Sequence, residues 1–242
     1  GPSLAAELIR FVYGMKKRRY TYRFLFIPET IGSITYLATG NHLEERKKTM
    51  LAGFNLSCVG DDLAYSMIAS RKGNTLSDRV LHNVLKNREN YIRYPFLKRG
   101  SDERQYNAPG IDLPVVCFCR SKFGEFPEYH TSADNMDFVS PEGFQGSYEV
   151  MTQVIRALEY NRCYKATVLG EPQLGKRGLY PEISKKGSYE GIFAMRDLLS
   201  YADGTMDLLE ISEEIGRPME ELIPIVDKLL DHHLLSISEK KP

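Results

Sequence analysis

No apolar run in the 242 residues approaches the ~20 needed to cross a bilayer. Nor does the chain open on a charged stretch followed by an apolar one and a cleavage site. Membrane insertion and export are therefore not expected, and the expectation is a cytoplasmic protein with no membrane partner. Cysteine is scarce: Cys58, Cys117, Cys119 and Cys163 include no C-x-x-C pair, which argues for buried, reduced thiols rather than a disulfide scaffold. Cys117 and Cys119 fall two apart on an expected strand, and they are expected to face apart and to share no ion. Net charge is absent too, at +0, but it is unevenly spread. From Gly187 onward five Lys or Arg stand against twelve Asp or Glu, so the tail carries −7 and the rest +7. The opening Gly1-Pro2, without Met, is taken as a trimmed end rather than a natural start.

What is present suits a globular chain: 42% hydrophobic and 26% charged residues are enough for one substantial core and a satellite domain. Leu4, Leu8, Ile9, Phe11 and Val12 recur at helical spacing, so a helix is expected from Ser3 to Met15. Tyr22 to Ile27, closed by Pro28, reads as a strand. Ile31 to Thr39 reads as a helix stopped by Gly40. Further strands are expected over Leu51–Val59 and Leu113–Cys119, with a helix over Leu76–Lys86 between them. This rhythm is that of a layered α/β sheet. After Pro141, the spacing of Phe144, Tyr148, Met151, Ile155 and Leu158 predicts a long amphipathic helix. Val168 to Lys186, rich in Gly, Pro and Lys, reads as an ordered connector. Helices are then expected over Tyr189–Tyr201, Asp207–Ile215 and Met219–Asp231, with a short strand over Leu234–Ser238.

Three segments set polar groups directly after expected strands, where α/β sheets usually build their sites. In Pro28-Glu29-Thr30-Ile31-Gly32, partial burial would raise the Glu29 pKa and suit a general base, while a plain helix N-terminal acid is the alternative. Asp61 and Asp62 follow the second strand as candidate metal donors or, more simply, as hydrated loop acids. In Glu128-Tyr129-His130-Thr131-Ser132-Ala133-Asp134-Asn135, a neutral imidazole could hold zinc with nearby carboxylates orienting it, or could be a hydrogen-bonded structural residue.

Tyr129 to Asp137, continuing into Pro141-Glu142 and a helix, resembles the His-Thr-Pro-x-Asp-x-x-Asp block of zinc-dependent aminopeptidases and glutaminyl cyclases. Ser101-Asp102-Glu103-Arg104-Gln105-Tyr106, followed by Gly110-Ile111-Asp112-Leu113-Pro114, is similar to that superfamily's Ser-Asp-His block before a Gly-Ile-Pro strand. Glu29-Thr30-Ile31-Gly32 resembles its Glu-Glu-x-Gly block. The match is nearest to bacterial aminopeptidase-like proteins with a C-terminal winged helix, also similar in Gly60-Asp61-Asp62, Ser70-Arg71-Lys72-Gly73 and Glu171 to Pro181. The resemblance implies a three-layer α/β/α zinc-exopeptidase-like domain with a mixed sheet over 1–186 and a winged helix over 187–242, the first lacking an N-terminal part. It implies a hydrolase of a peptide-like or amide small molecule, with Glu29 as base and zinc held by His130 with Asp61 or Asp62. Asp102, Asp134, Tyr129, Arg71 and Arg104 would orient the site or anchor substrate, the two arginines having ion-pair partnership as their alternative.

The departures are Thr30, where the classical enzymes place a second Glu ligand, and Ser57, at the expected place of a ligand Asp. The first His ligand and the bridging Asp would precede the opening helix, so this fragment alone is expected to be weak or inactive. A metal-free binding or assembly module, linked to surface-polysaccharide genes as similar proteins are, is the alternative. Phosphate binding demands clustered Lys or Arg on the presented helix. The helix from Met219 carries Glu220, Glu221, Asp227 and Asp231 against Lys228, so docking is expected there rather than nucleic-acid binding. A homo-oligomer stays open.

Overall fold

Helices α1 (Pro2–Gly14), α2 (Ile31–Ala38) and α3 (His42–Thr49) open the chain. Helix α1 buries Leu4, Leu8 and Val12, one residue per turn, which is the four-residue spacing of a single apolar stripe. Helix α2 ends as expected, with Gly40 at φ +57° just beyond it. The computed structural model describes residues 1–179 and 190–238. The boundary expected at 186/187, the helix start at Tyr189 and the Tyr180-Pro181 end of the Gly/Pro-rich motif lie outside the described residues. The chain divides into two compact units, Gly1–Val154 and Ile155–Pro242.

Four short strands form the sheet of the first unit: β1 (Gly53–Leu56), β2 (Tyr65–Ile68), β3 (Tyr91–Tyr94) and β4 (Val115–Cys119). Their order is β1-β4-β2-β3. β1 runs parallel to β4 and β2 to β3, while β2 and β4 are antiparallel, so the sheet is mixed, as expected. β4 is buried along its whole length, which explains its unbroken Val-Val-Cys-Phe-Cys run. A parallel pair needs a crossover, and α4 (Leu76–Leu85) provides it between β2 and β3. That helix starts at a capping box: the Asp78 amide donates to the Thr75 hydroxyl, and the Thr75 amide donates to the Asp78 carboxylate. Asp78 also accepts from the Ser70 amide at 2.9 Å, fastening the helix to the exit of β2.

A short helix α5 (Glu103–Tyr106) precedes β4, and the 20-residue α6 (Pro141–Tyr160) follows it. Helix α6 buries Val150, Met151 and Val154 and donates from the Ser147 hydroxyl to the Val59 carbonyl at 2.8 Å. Gly143 lets its first turn approach closely, since a Cβ there would collide with the Gly60 and Asp61 carbonyls.

The second unit has strands β5 (Cys163–Ala166), β6 (Asp203–Asp207) and β7 (Leu235–Ile237), antiparallel in the order β6-β5-β7. Helices α7 (Glu190–Tyr201), α8 (Leu208–Glu214) and α9 (Met219–Asp231) complete it. Asn161, at the end of α6, donates to Asp207 and accepts from the Leu209 amide, fixing the start of α8. Among the described residues no helix is long and apolar enough to cross a membrane.

Several expectations need correction. Tyr22–Ile27 belongs to neither sheet; branched and aromatic residues favour a strand only where a neighbour completes the ladder. The expected strand over Leu51–Val59 shrinks to β1, because Cys58 at φ +50° turns the chain away. Cys117 and Cys119 share a face, their sulfurs 3.5 Å apart, since side chains two apart on a strand point the same way. The division between the two compact units falls inside α6, and the segment after that helix contributes β5 to the second sheet.

Candidate functional site

β1 and β4, adjacent and parallel, end at the same rim of the sheet. Beyond β1 the chain turns at Cys58, whose carbonyl accepts the Arg120 amide at 2.8 Å. Asp61 then enters the interior, 2% exposed. It accepts from the Ser121 hydroxyl at 2.7 Å, from the Ser121 amide and from the Leu63 amide. The expected hydrated loop acid is thus a buried tie between the two strand exits. Asp62 remains exposed and accepts from the Ser140 hydroxyl at 3.0 Å; that hydroxyl also accepts the Gly143 amide, as an N-cap does. Helix α1 begins at this rim, for a Cβ on Gly1 would lie 2.9 Å from the Leu56 carbonyl oxygen.

The 124–140 loop supplies an aromatic wall. Tyr129 stacks on His130 with ring centroids 4.0 Å apart, and it meets Phe126 edge-on at 5.7 Å. His130 is exposed and sits at φ +60°. Burial pushes the Tyr129 phenol up, with the charges of Cys58 and Glu29 adding to it. The Cys58 thiol is pushed up to about 11, chiefly by burial and by Cys119, with Asp134 and Asp61 contributing and a hydrogen bond to Ser57 opposing. A thiol held neutral in this way is no nucleophile at neutral pH. The charges of Glu29 and Cys58 are thus felt at Tyr129, and those of Asp61 and Asp134 at Cys58, with His130 stacked on Tyr129.

Glu29 is exposed and stands at the first corner of a tight turn. The Ile31 amide donates to the Glu29 carbonyl at 2.7 Å, and Thr30 between them has φ 63° and ψ −69°. This is the rare γ-turn with positive φ, strained for any residue and more so for a β-branched one. Asp102 accepts the Thr30 amide at 2.7 Å, and Arg104 donates to the Thr30 hydroxyl at 2.7 Å. Both therefore grip the turn that carries Glu29.

Arg71 is not brought to the rim. It follows β2, which runs antiparallel to β4, so it lies at the opposite end of the sheet. There it donates to the Asn107 carbonyl at 3.0 Å and pairs with Asp112. The residues missed from the sequence are Ser121, which engages Asp61, and Glu103, buried under α5. The Gly100 and Ser101 amides and the Asn55 side chain all donate to Glu103. A carboxylate sandwiched between Asp102 and Arg104 was visible in the sequence, but its partner on β1 was not.

Zinc takes three or four convergent donors. Among the described residues no three His, Cys, Asp or Glu side chains are grouped to hold a metal ion. Asp61 is engaged by Ser121 and Leu63, and the His130 ring lies along Tyr129. By themselves these residues do not fit the metal.

In the second unit, two acids of α9 meet the end of α6 at the surface: Arg156 pairs with Glu220 at 3.2 Å, and the Tyr160 hydroxyl donates to Asp227 at 2.9 Å. Burial and Asp227 push the Tyr160 phenol up to about 12.

Residues 1–161 match a family described as a domain of unknown function, DUF4910, and residues 162–237 match a winged helix-turn-helix. A Clostridium acetobutylicum protein, whose name speaks of polysaccharide biosynthesis and an aminopeptidase-like domain, is 38% identical over 224 residues, 91% of this chain and 51% of that protein. A crystal structure from the same organism, named as that of a peptidase, superposes with a TM-score of 0.83 at 35% identity, covering 97% of this chain and 52% of the other. An aminopeptidase from Aneurinibacillus sp. strain AM-1 reaches a TM-score of only 0.40 at 19% identity, over 52% of this chain and 30% of that one. The chain spans about half the length of the Clostridium proteins it matches.

Proposed function

The chain belongs to the DUF4910 family, continued by a winged helix, and we propose that the protein hydrolyses an amide bond, with Glu29 as general base. The observation that supports this reading is the strained turn carrying Glu29, whose charge is felt at Tyr129, the ring on which His130 stacks, in a sheet whose β1 and β4 run parallel. Open α/β sheets usually bind their ligands beyond the carboxyl ends of such strands. Glu29 would take a proton from the attacking water and deliver it to the departing amine. Tyr129 and Asp134 would line the substrate's approach. The substrate would be a peptide-like or amide-bearing small molecule met in the cytoplasm, and the aminopeptidase-like relatives favour this class.

Zinc dependence, in the manner of the aminopeptidases and glutaminyl cyclases that the motifs resemble, would bring His130, Asp61 and Asp62 into the metal's surroundings. It would require further donors from outside these residues.

A second reading is a catalytically degenerate module in the assembly of a surface polysaccharide. It is favoured by Thr30 serving as a gripped turn residue instead of a ligand, and by the relative whose name speaks of polysaccharide biosynthesis. The test is turnover of aminoacyl p-nitroanilides by the full-length protein and its Glu29→Gln variant, with zinc content by elemental analysis. Stoichiometric zinc and turnover lost by about a thousandfold or more in the variant support the hydrolase. Absence of both zinc and turnover supports the module.

A further inference from the structure

We infer that Asp102 and Arg104 form a clamp on Thr30 that sets the direction of the Glu29 carboxylate, which makes them positioning residues; this rests on the reading of Glu29 as the base. A Thr at φ 63° and ψ −69° persists only where surrounding groups over-determine it. Here two groups do so. The Asp102 carboxylate accepts the Thr30 amide, and the Arg104 guanidinium donates to the Thr30 hydroxyl. Backbone and side chain of one residue are thus held by opposite charges, the stronger class of hydrogen bond. Arg104 Nε is buried with no partner among the described residues, so the guanidinium is held in place against a desolvation cost.

The clamp has a rigid foundation. Glu103, between its two members, is fully buried and accepts from the Gly100 and Ser101 amides, and from the Asn55 side chain on β1 at 3.1 Å. A continuous mechanical path therefore runs from the central sheet through Glu103 to the clamp, to Thr30 and to Glu29. On the other side, Gly32 lets α2 fold back on the turn: its amide donates to the Pro28 carbonyl at 2.9 Å, and a Cβ there would lie 2.7 Å from the Ile27 Cβ. With both flanks fixed, the strain at Thr30 cannot relax by moving the helix.

The experiment compares full-length wild type with Asp102→Ala, Asp102→Asn and Arg104→Gln. It measures residue-resolved hydrogen exchange at the Thr30 amide, and kcat, KM and the acid limb of kcat/KM on aminoacyl p-nitroanilides. Asp102→Ala should speed Thr30 exchange at least about tenfold. It should lower kcat by about a hundredfold, as a misplacement near 1 Å does, leave KM within about twofold and move the acid limb. Asp102→Asn keeps an acceptor oxygen and should restore most of both readouts. Arg104→Gln should behave as a weaker Asp102→Ala and keeps the test open should that variant fail to fold. Unchanged Thr30 exchange in the Asp102 and Arg104 variants overturns the clamp, and faster exchange with unchanged kcat overturns its positioning role. If wild type turns over none of the anilides, the Glu29 reading fails by itself, and exchange at Thr30 alone decides the clamp.

Discussion

Asp61 accepts hydrogen bonds from both the amide and the hydroxyl of Ser121, sixty residues away and on the exit of the neighbouring strand. The pair joins the ends of β1 and β4. Asp61→Ala would leave the Ser121 and Leu63 donors unsatisfied in the interior. The expected loss of unfolding free energy is about 2–4 kcal/mol, as for buried polar groups stripped of a charged partner. Urea denaturation followed by circular dichroism measures it, and a loss within experimental error would refute the structural weight given to this carboxylate.

Cys58 gives a pH prediction. Its thiol, raised from 9.0 to about 11, should be alkylated by iodoacetamide in the folded protein with a rate that climbs until about pH 11. At pH 8 it should present about a hundredfold less thiolate than a free cysteine. Because the fold holds the proton more tightly than the unfolded chain does, the associated stability is complete below about pH 9 and is lost as pH rises toward about 11. A midpoint of alkylation near neutrality would contradict the burial assigned to this residue.

The winged helix should not hold DNA. Helix α9 carries one Lys among its acids, and Glu220 and Asp227 are engaged by Arg156 and Tyr160. Fluorescence anisotropy with duplex DNA at low salt should show no binding below about 100 µM, which is the weak end of non-specific affinity. Tyr160→Phe should cost only about 0.5–1.5 kcal/mol, since one hydrogen bond at an exposed edge is lost. Micromolar, salt-sensitive DNA binding would overturn this reading.

Phe118, at the centre of β4, is completely buried. Phe118→Ala should destabilise by about 3–5 kcal/mol through lost burial and an uncollapsed cavity. Thermal unfolding by calorimetry gives the value, and a cost under about 1 kcal/mol would mean that the core closes around the gap.

Legibility in the sequence followed the range of the interactions involved. Helix α9 was expected with the bounds observed, because Met219, Leu222, Val226 and Leu229 repeat at three and four residues and Pro218 marks its start. That information is local. Strands β2 and β3 were not expected: Tyr65–Ile68 and Tyr91–Tyr94 are four residues each, with Ser66 and Arg93 interrupting their apolar character, and each is a strand only through its neighbours. Tyr22–Ile27 fails the other way, carrying the composition of a strand without a place in either sheet. At the site, Glu29 and His130 were visible as motif residues. The γ-turn at Thr30, the burial of Asp61 and the support from Glu103 depend on contacts made across tens of residues, and no local pattern encodes them.

Helix α6 begins in one unit and ends in the other, and this leaves no clean seam for dissection. A fragment ending at Val154 severs the helix within its final two turns. One starting at Arg162 discards Asn161 and with it the grip on Asp207 and Leu209. Protein chemistry on either half must therefore begin from overlapping pieces that both retain residues 141–160, and a domain swap between relatives has to exchange that helix whole.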